Sequence, residues 1–428
     1  MYHRVMSASP DSPEIRRLVF LFGLAYFAQA LSQAGGLIQQ PLNFYLKQGL
    51  GFNAAQVADF LLILTLPWTI KPLYGLLSDY VPLLGYHRKS WLMVVNLLAA
   101  SGFLWLSGLT EPGLIGVALV MTAVGTAASD VIIDALMVEN GERTGQTARF
   151  QGVQWLWFKV AAILTALGGG YLSQTFAPAN ALSVAALITL LAPVSVLLTA
   201  AFIVREEKSV LNLAEMRATT KSEIAALKSP EMRIAAAFLA LWCFSPGFGT
   251  PMYYHMTDRL GFEQGFIGQL EAFRAGGAVV GAFLYARYFS RTSIGFRAVF
   301  AVIVATAAVL SYLSLAQPHV HAGTIAPVLN VFVGLANQIG ALTIFSIAAR
   351  ACPPRAEGFT FAALMSLYNG VDQFSSVIGG RLYHNVFEGA IAPLLWVAAG
   401  SLALCLFLVP LLRRLDQARP ALAIVPVR

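Results

Sequence analysis

The chain has 428 residues, 57% of them hydrophobic and only 11% charged, with a formal net charge of +7. Soluble domains carry roughly 25% charged residues, so this deficit, at a mean hydropathy of +0.69, excludes an ordinary water-soluble globule and points to a lipid-facing surface. Cys243, Cys352 and Cys405 lie in or beside apolar runs with no pairing pattern, which excludes a disulfide framework and a zinc site.

Residues 1–17 are polar, carry both signs of charge and contain no apolar core followed by a small-residue cleavage site. They read as a cytoplasmic tail and not as a signal peptide. The first apolar stretch, from about Leu18 past Gln40, is too long for a signal core and is expected to remain in the mature protein. Twelve apolar segments follow, at about 18–46, 54–77, 90–109, 113–138, 149–174, 179–203, 232–255, 264–288, 297–315, 323–349, 357–382 and 388–412. Each has the length of a membrane span. The expected organisation is an N-terminal six-helix bundle at 18–203, a cytoplasmic linker at 204–231, a second bundle at 232–412 and a cytoplasmic tail at 413–428. The linker is helix-permissive and of mixed charge.

With the N-terminus placed inside, lysines and arginines gather on the tails, on the central linker and on the loops after segments 2, 4, 8 and 10. The opposite side holds Lys47, Arg259 and Arg381, while Lys71, Lys159 and Arg274 fall inside spans. This asymmetry predicts that both termini are cytoplasmic. It also explains the basic balance without nucleic acid. The halves repeat: Pro41 through Leu50-Gly51-Phe52 matches Pro251 through Leu260-Gly261-Phe262 at an offset of 210 residues. A six-plus-six duplication places a substrate site near the midplane between the halves.

Segment 2 ends in a charged hairpin, Lys71 to Trp91, with Gly75, Asp79, Arg88 and Lys89 in order. A carboxylate at one helix end and a basic pair at the next helix start suggest a gating element at the membrane surface. Within the spans, an ionisable group costs about 2.5–3.5 kcal/mol on insertion scales and usually faces a cavity or a partner. Segment 4 carries Thr122, Thr126, Asp130 and Asp134 in steps of four, on one helix face. Segment 1 offers Gln29, Gln33, Gly36 and Gln40, and segment 5 offers Gln151, Gln154, Trp155 and Lys159. Segment 10 has Asn330, Asn337 and Gln338; segment 11 has Ser366, Asn369, Asp372, Gln373 and Ser376. Any one stripe is compatible with polar contacts between helices, whereas five together predict a wet central cavity.

Lys159 and Arg274 each lie roughly 15 Å from a segment end, near mid-depth. Either Glu271 pairs with Arg274, one turn away, or at least one of the two cations meets an anionic substrate. Lys71 either snorkels to the headgroups or pairs with Asp130 or Asp134. Those two aspartates repel one another in a low dielectric, a repulsion that a proton on either relieves, so they are the first candidates for proton coupling, with Glu271 and Asp372 behind them. Gln33, Gln154, Trp155, Asn330, Asn337 and Asn369 are the candidate substrate contacts beside Lys159 and Arg274. Trp155, Trp157, Trp242, Tyr253 and Tyr254 serve either as interface anchors or as stacking partners for a planar ligand. There is no Gly-rich phosphate loop, no paired-histidine zinc helix, no Gly-x-Ser-x-Gly and no Cys–His cluster. An enzyme, a cofactor and a metal are therefore not expected.

Twelve spans in two halves, with Gly75 and Asp79 followed by Arg88-Lys89, resemble the major facilitator superfamily. The longer loop here, Lys71 to Asp79 and then Gly85-Tyr86-His87-Arg88-Lys89, is similar to that of the folate–biopterin transporter family. So are the stretches Ser129 to Glu139, Tyr254 to Gly268 and Cys352 to Asn369. The resemblance implies an all-α fold of two pseudo-symmetric six-helix bundles. It also implies proton-coupled transport of folates or pterins, with Lys71, Asp130 and Asp134 functional and Gly75, Asp79, Arg88, Lys89 and Glu357 at the cytoplasmic gate. The Asp130–Asp134 stretch also resembles the muropeptide permease branch.

The expected protein is a monomeric secondary transporter of the inner or plasma membrane, moving an organic anion by alternating access. The alternatives are a permease for muropeptides or another amphiphilic anion, and a non-transporting assembly factor of the same fold.

Overall fold

The computed structural model describes residues 12–208, 213–289, 292–353 and 356–418. The described chain is built of helices, and its one β-type pairing is an isolated bridge, Leu83 with Tyr86. Among the described residues, nine helices have the length and composition of a membrane span: Pro13–Ser32, Ala54–Tyr80, Lys89–Leu106, Pro112–Thr144, Arg149–Thr175, Pro178–Ile203, Ile294–Leu315, Ala322–Ala351 and Ile391–Leu415.

Within these runs the helices are α1 (Pro13–Ser32), α2 (Gln39–Phe44), α3 (Ala54–Thr69), α4 (Lys71–Tyr80), α5 (Lys89–Leu106), α6 (Pro112–Thr144), α7 (Thr147–Thr175) and α8 (Pro178–Ile203). There follow α9 (Leu213–Ala226), α10 (Pro230–Cys243), α11 (Gly249–Asp258), α12 (Gln264–Leu284), α13 (Ile294–Ser311), α14 (Ala322–Ala351), α15 (Glu357–Arg381), α16 (Ile391–Ala403) and α17 (Val409–Ala418).

The segments expected at 232–255, 264–288 and 357–382 are also helical, but each has a polar or broken character. The first is interrupted between α10 and α11, around Ser245-Pro246-Gly247. The second, α12, carries Glu271 and Arg274, and the third, α15, carries Asn369, Asp372 and Gln373. Segment 1 departs from its expected form. The stripe Gln29, Gln33, Gly36 and Gln40 does not share one helix face, because α1 ends at Ser32 and the chain re-enters helix at Gln39. Gly35 and Gly36 sit at the break; Gly36 turns back so closely that a Cβ would lie 2.2 Å from the Leu31 carbonyl oxygen.

The chain forms two compact units, one within Met1–Arg217 plus Glu263–Ala272 and the other within Ala218–Phe262 plus Phe273–Arg428. In the first, the core is a mesh of Ile15, Leu21, Phe22, Leu92, Ile132, Phe150 and Ala200 from α1, α5, α6, α7 and α8. The rings of Phe22 and Phe150 meet at 5.1 Å. In the second, Phe238, Leu239, Ala298, Ile344, Ala348, Leu402 and Leu412 from α10, α13, α14, α16 and α17 form the core.

Lipid is as apolar as the helices, so helix association inside it depends on close packing of small residues. Where α12 crosses α14, a Cβ on Gly277 would lie 2.0 Å from the Val331 carbonyl oxygen, and one on Gly334 would lie 1.9 Å from that of Arg274. This crossing packs the backbone of Arg274 directly against Gly334 of α14.

The sequence repeat is also a repeat of backbone geometry. Gly51 and Gly261 have φ of 69° and 68°, a left-handed conformation that glycine adopts at little cost. Phe52 N bonds Leu46 O at 3.0 Å in one copy, and Phe262 N bonds Met256 O at 2.9 Å in the other. The Leu-Gly-Phe triplet is thus a helix stop used once in each half.

The α12–α14 crossing is testable with neighbouring glycines. Gly277→Ala should lower the thermal unfolding midpoint of the detergent-purified protein, by the equivalent of about 1–3 kcal/mol for an overpacked contact. Gly276→Ala, where an added Cβ meets nothing within 4 Å, should leave it unchanged.

Candidate functional site

The apolar length of α6 forces a choice on its two aspartates: each needs a partner from a neighbouring helix. Asp130, 6% exposed, receives Lys71 Nζ at 2.5 Å. Lys71 stands at the start of α4, where the break at Ile70 between α3 and α4 lets its side chain turn toward α6. Its ammonium also lies 4.7 Å from the centre of the Trp68 ring, a cation–π contact from the preceding turn. Asp134, one turn further on, accepts a hydrogen bond from the Tyr26 hydroxyl of α1.

Tyr26 carries the arrangement across to α7. Its ring stands edge-on to Trp155 at 6.1 Å and to Phe158 at 6.3 Å, and these two rings are 5.5 Å apart. Lys159 Nζ lies 5.9 Å from the Trp155 centroid and 6.0 Å from that of Phe158. Five helices of one unit, α1, α3, α4, α6 and α7, therefore join two carboxylates, two ammonium groups and four aromatic rings into a connected set. Trp155 is 42% exposed, so the set has an open side at this residue. Gln154, beside it, is fully buried, and neither amide atom of its side chain has a hydrogen-bond partner among the described residues. A buried amide left that way costs about 1–3 kcal/mol, which marks Gln154 as polar capacity held in reserve.

The other candidates lie elsewhere. Gln33 is half-buried and ends α1, its backbone N–H bonded to Gln29 O. Asn330 is buried; its amide donates to Ala326 O at 2.9 Å and accepts from the Tyr312 hydroxyl at 3.2 Å. Asn337, further along α14, is exposed, so the two asparagines do not share an environment. Glu271 and Arg274 on α12 and Asn369 on α15 are half-buried, and Asp372 is exposed.

The hairpin is organised by Arg88. Its guanidinium pairs with Asp79, donates to Ser78 Oγ at 2.7 Å, and donates to Glu139 Oε1 from Nε at 3.1 Å and Nη2 at 2.7 Å. Burial opposes its charge, but the carboxylates of Asp79 and Glu139 outweigh it and hold its pKa above the ordinary arginine value. The extra loop residues form a tight turn with Leu84 and Gly85 both at positive φ, 53° and 84°, closed by Leu83 and Tyr86 in two backbone hydrogen bonds of 3.0 Å.

Glu206, just beyond α8, clasps the start of α5. Its carboxylate accepts from the backbone amides of His87, Arg88 and Lys89 at 2.8–3.1 Å. Anions are favoured there by the unpaired amides and the helix dipole. Lys89 turns the other way, donating to Ala201 O at 2.9 Å. A Cβ on Gly75 would meet only Val131 Cγ1, at an ordinary 3.8 Å, so close packing does not demand a glycine. Glu357 opens α15, and its side chain lies outside the described residues.

Sequence reasoning missed Tyr26, Trp68, Ser78 and Glu206. Tyr26 sits in an apolar run where an aromatic is unremarkable, and Glu206 sits in a stretch read as a solvated linker. Glu139 was visible only as the end of a family-like stretch. Among the described residues no group of His, Cys, Asp and Glu is placed to hold a metal ion.

The pair at the heart of the set gives a sharp test. Lys71→Met strands Asp130 in an apolar setting and should destabilise the protein by about 3–5 kcal/mol, as for other broken buried pairs. The double variant Lys71→Met with Asp130→Asn should recover most of that loss in thermal unfolding. Equal losses would mean that the pair contributes nothing as a pair.

Solved structures share this architecture. A peptide transporter, POT, in complex with sulfate superposes with a TM-score of 0.71 at 14% identity, covering 95% of this chain and 96% of its own. A D-xylose–proton symporter gives 0.68 at 11% identity, covering 92% and 96%. At such identities the likeness concerns the fold, which is that of the major facilitator transporters. A folate-biopterin transporter of Synechocystis is 28% identical over 375 residues, spanning 84% of this chain and 73% of that protein. A probable folate-biopterin transporter 4 of Arabidopsis thaliana is 24% identical, spanning 90% of each. The model of the BT1 family matches residues 33–414. With that match over most of its length, the chain belongs to the BT1 family, carries the major facilitator fold, and is a multi-pass membrane transporter rather than an enzyme.

Proposed function

We propose that this protein is a proton-coupled secondary transporter carrying an organic anion of the folate or pterin class across the inner or plasma membrane by alternating access. It works as a monomer with both termini in the cytoplasm, and the moving halves are 18–203 and 232–412, joined by the linker 204–231. The relatives named above as folate-biopterin transporters support the substrate class. The observation that carries the reading is the connected set of Lys71, Asp130, Tyr26, Asp134, Trp155, Phe158 and Lys159 inside apolar helices.

The chemistry follows from charge. Lys71 balances Asp130, so an ionised Asp134 leaves that trio with one net negative charge in a low dielectric. One proton makes it neutral and removes the cost of keeping it there. Proton binding and release at Asp130–Asp134 then bias the two access states, with Glu271 and Asp372 as secondary sites. The exposed face of Trp155 stacks a planar heteroaromatic ring, and Lys159 and Arg274 attract its carboxylates. Gln154 supplies amide donors and acceptors, with Gln33, Asn330, Asn337 and Asn369 as further polar contacts. Asp79, Arg88 and Lys89, with Gly75 and Glu357, form the cytoplasmic gate.

Uptake of labelled folic acid and of a neutral pterin into proteoliposomes tests the reading. A proton gradient directed inward should drive accumulation. Asp134→Asn should abolish that drive while leaving substrate exchange intact; gradient-driven uptake that survives the change removes Asp134 from coupling. Saturable flux of muropeptides but not folates would replace the substrate class. No saturable flux of any of them would end the transport proposal in favour of an assembly role.

The charge contact is tested separately. Lys159→Ala should weaken binding of folic acid, an anion, more than that of the neutral pterin. An equal loss for both would reduce Lys159 to a packing role.

A further inference from the structure

A second charged site, built from a different set of residues, lies within the second unit where α12 finishes and α13 begins. Arg297, in the first turns of α13, is 5% exposed. Its Nη1 donates to the Tyr285 hydroxyl at 3.0 Å and to Ser346 Oγ at 3.2 Å. Those two hydroxyls are 2.8 Å apart, and the Tyr285 hydroxyl also donates to Leu342 O at 3.2 Å. Among the described residues, Arg297 Nε has no hydrogen-bond partner and no carboxylate pairs with the guanidinium. The contrast with Lys71, Arg88 and Arg143, each paired with a carboxylate, is plain.

A cation withdrawn from water costs several kcal/mol unless an opposite charge compensates it. Neutral hydroxyls compensate only partly. The guanidinium fork with an unfilled Nε matches a phosphate oxygen pair, the geometry for which arginine is best suited. Two further cations stand at the same end. Arg287 is exposed, with its guanidinium 5.4 Å from the Tyr288 ring centre, and Arg413 Cγ approaches Gly295 at the start of α13.

The flanking surface is apolar and aromatic. Phe289 lies 4.6 Å from Phe300 and 6.3 Å from Phe296, and Phe296, Tyr288 and Phe283 are 54%, 62% and 68% exposed. A small inorganic anion has no use for such a wall. An anionic head on an apolar body fits both parts.

We propose that Arg297, Tyr285 and Ser346 hold the phosphate of an anionic phospholipid whose acyl chains lie against Phe283, Tyr288 and Phe296. Under the orientation given above, this end faces the cytoplasmic leaflet, where anionic lipids concentrate. The lipid is a resident ligand of the second unit, and the assignment does not depend on which substrate is carried.

The test uses the full-length protein in detergent, with phosphatidylglycerol, phosphatidylcholine of the same acyl chains, and inorganic phosphate added separately. Phosphatidylglycerol should raise the thermal unfolding midpoint by several degrees more than phosphatidylcholine, and native mass spectrometry should show it retained in preference. Inorganic phosphate should do neither. Arg297→Met should remove the preference, and Tyr285→Phe and Ser346→Ala should each diminish it. Equal effects of the two lipids on the wild-type protein overturn the proposal, whether or not Arg297→Met folds. A full shift from phosphate alone makes the site one for free anions and overturns the lipid assignment. An undiminished preference in Arg297→Met places the lipid elsewhere.

Discussion

Everything in the first unit turns on the cost of an ionised group in a medium that cannot solvate it. Lys71 and Asp130 meet that cost by pairing across α4 and α6 at 2.5 Å, and Asp134 meets it by taking the Tyr26 hydroxyl. The break at Ile70, unhelpful to an isolated span, gives Lys71 the angle it needs. The rings of Tyr26, Trp155 and Phe158 on α1 and α7 link Asp134 to Lys159, and the last two lend their faces to its ammonium. The packing here has one cause: charges retained in an apolar slab must be bound to one another.

The hairpin applies the same rule among more exposed groups, where water weakens it. Arg88 there gathers Asp79, Ser78 and Glu139, with Asp79 and Glu139 still partly exposed. An exposed pair is worth little alone; three partners around one planar guanidinium hold the end of α4 to the end of α6. Glu206 adds a contact of another kind, from the end of α8 to the backbone at the start of α5. The central linker is thereby tied to the hairpin by a carboxylate that satisfies amides no helix can satisfy internally. Arg297 shows the rule left incomplete, and a bound anionic head would complete it.

Much of this was legible in the residues. Composition alone established a membrane protein, because no arrangement of so few charges covers a soluble core. The steps of four on α6 put Asp130 and Asp134 on one face, and the Leu-Gly-Phe repeat marked two equivalent helix stops, which the matching φ angles of Gly51 and Gly261 make physical. The polar stripe on segment 1 was misleading, since the helical period it assumed stops at Ser32 and resumes only at Gln39.

Sequence by itself determined the apolar, helical character of the chain, the hairpin and the family, because hydropathy and local backbone preference act over short distances along the chain. Only the tertiary structure decided that Lys71 joins Asp130 and not Asp134, that Tyr26 takes Asp134, that Glu206 caps α5 and that Arg297 is left with hydroxyls. Those choices depend on which helix faces meet, and at Gly277 and Gly334 that is settled by the close approach of backbones, which no local pattern encodes.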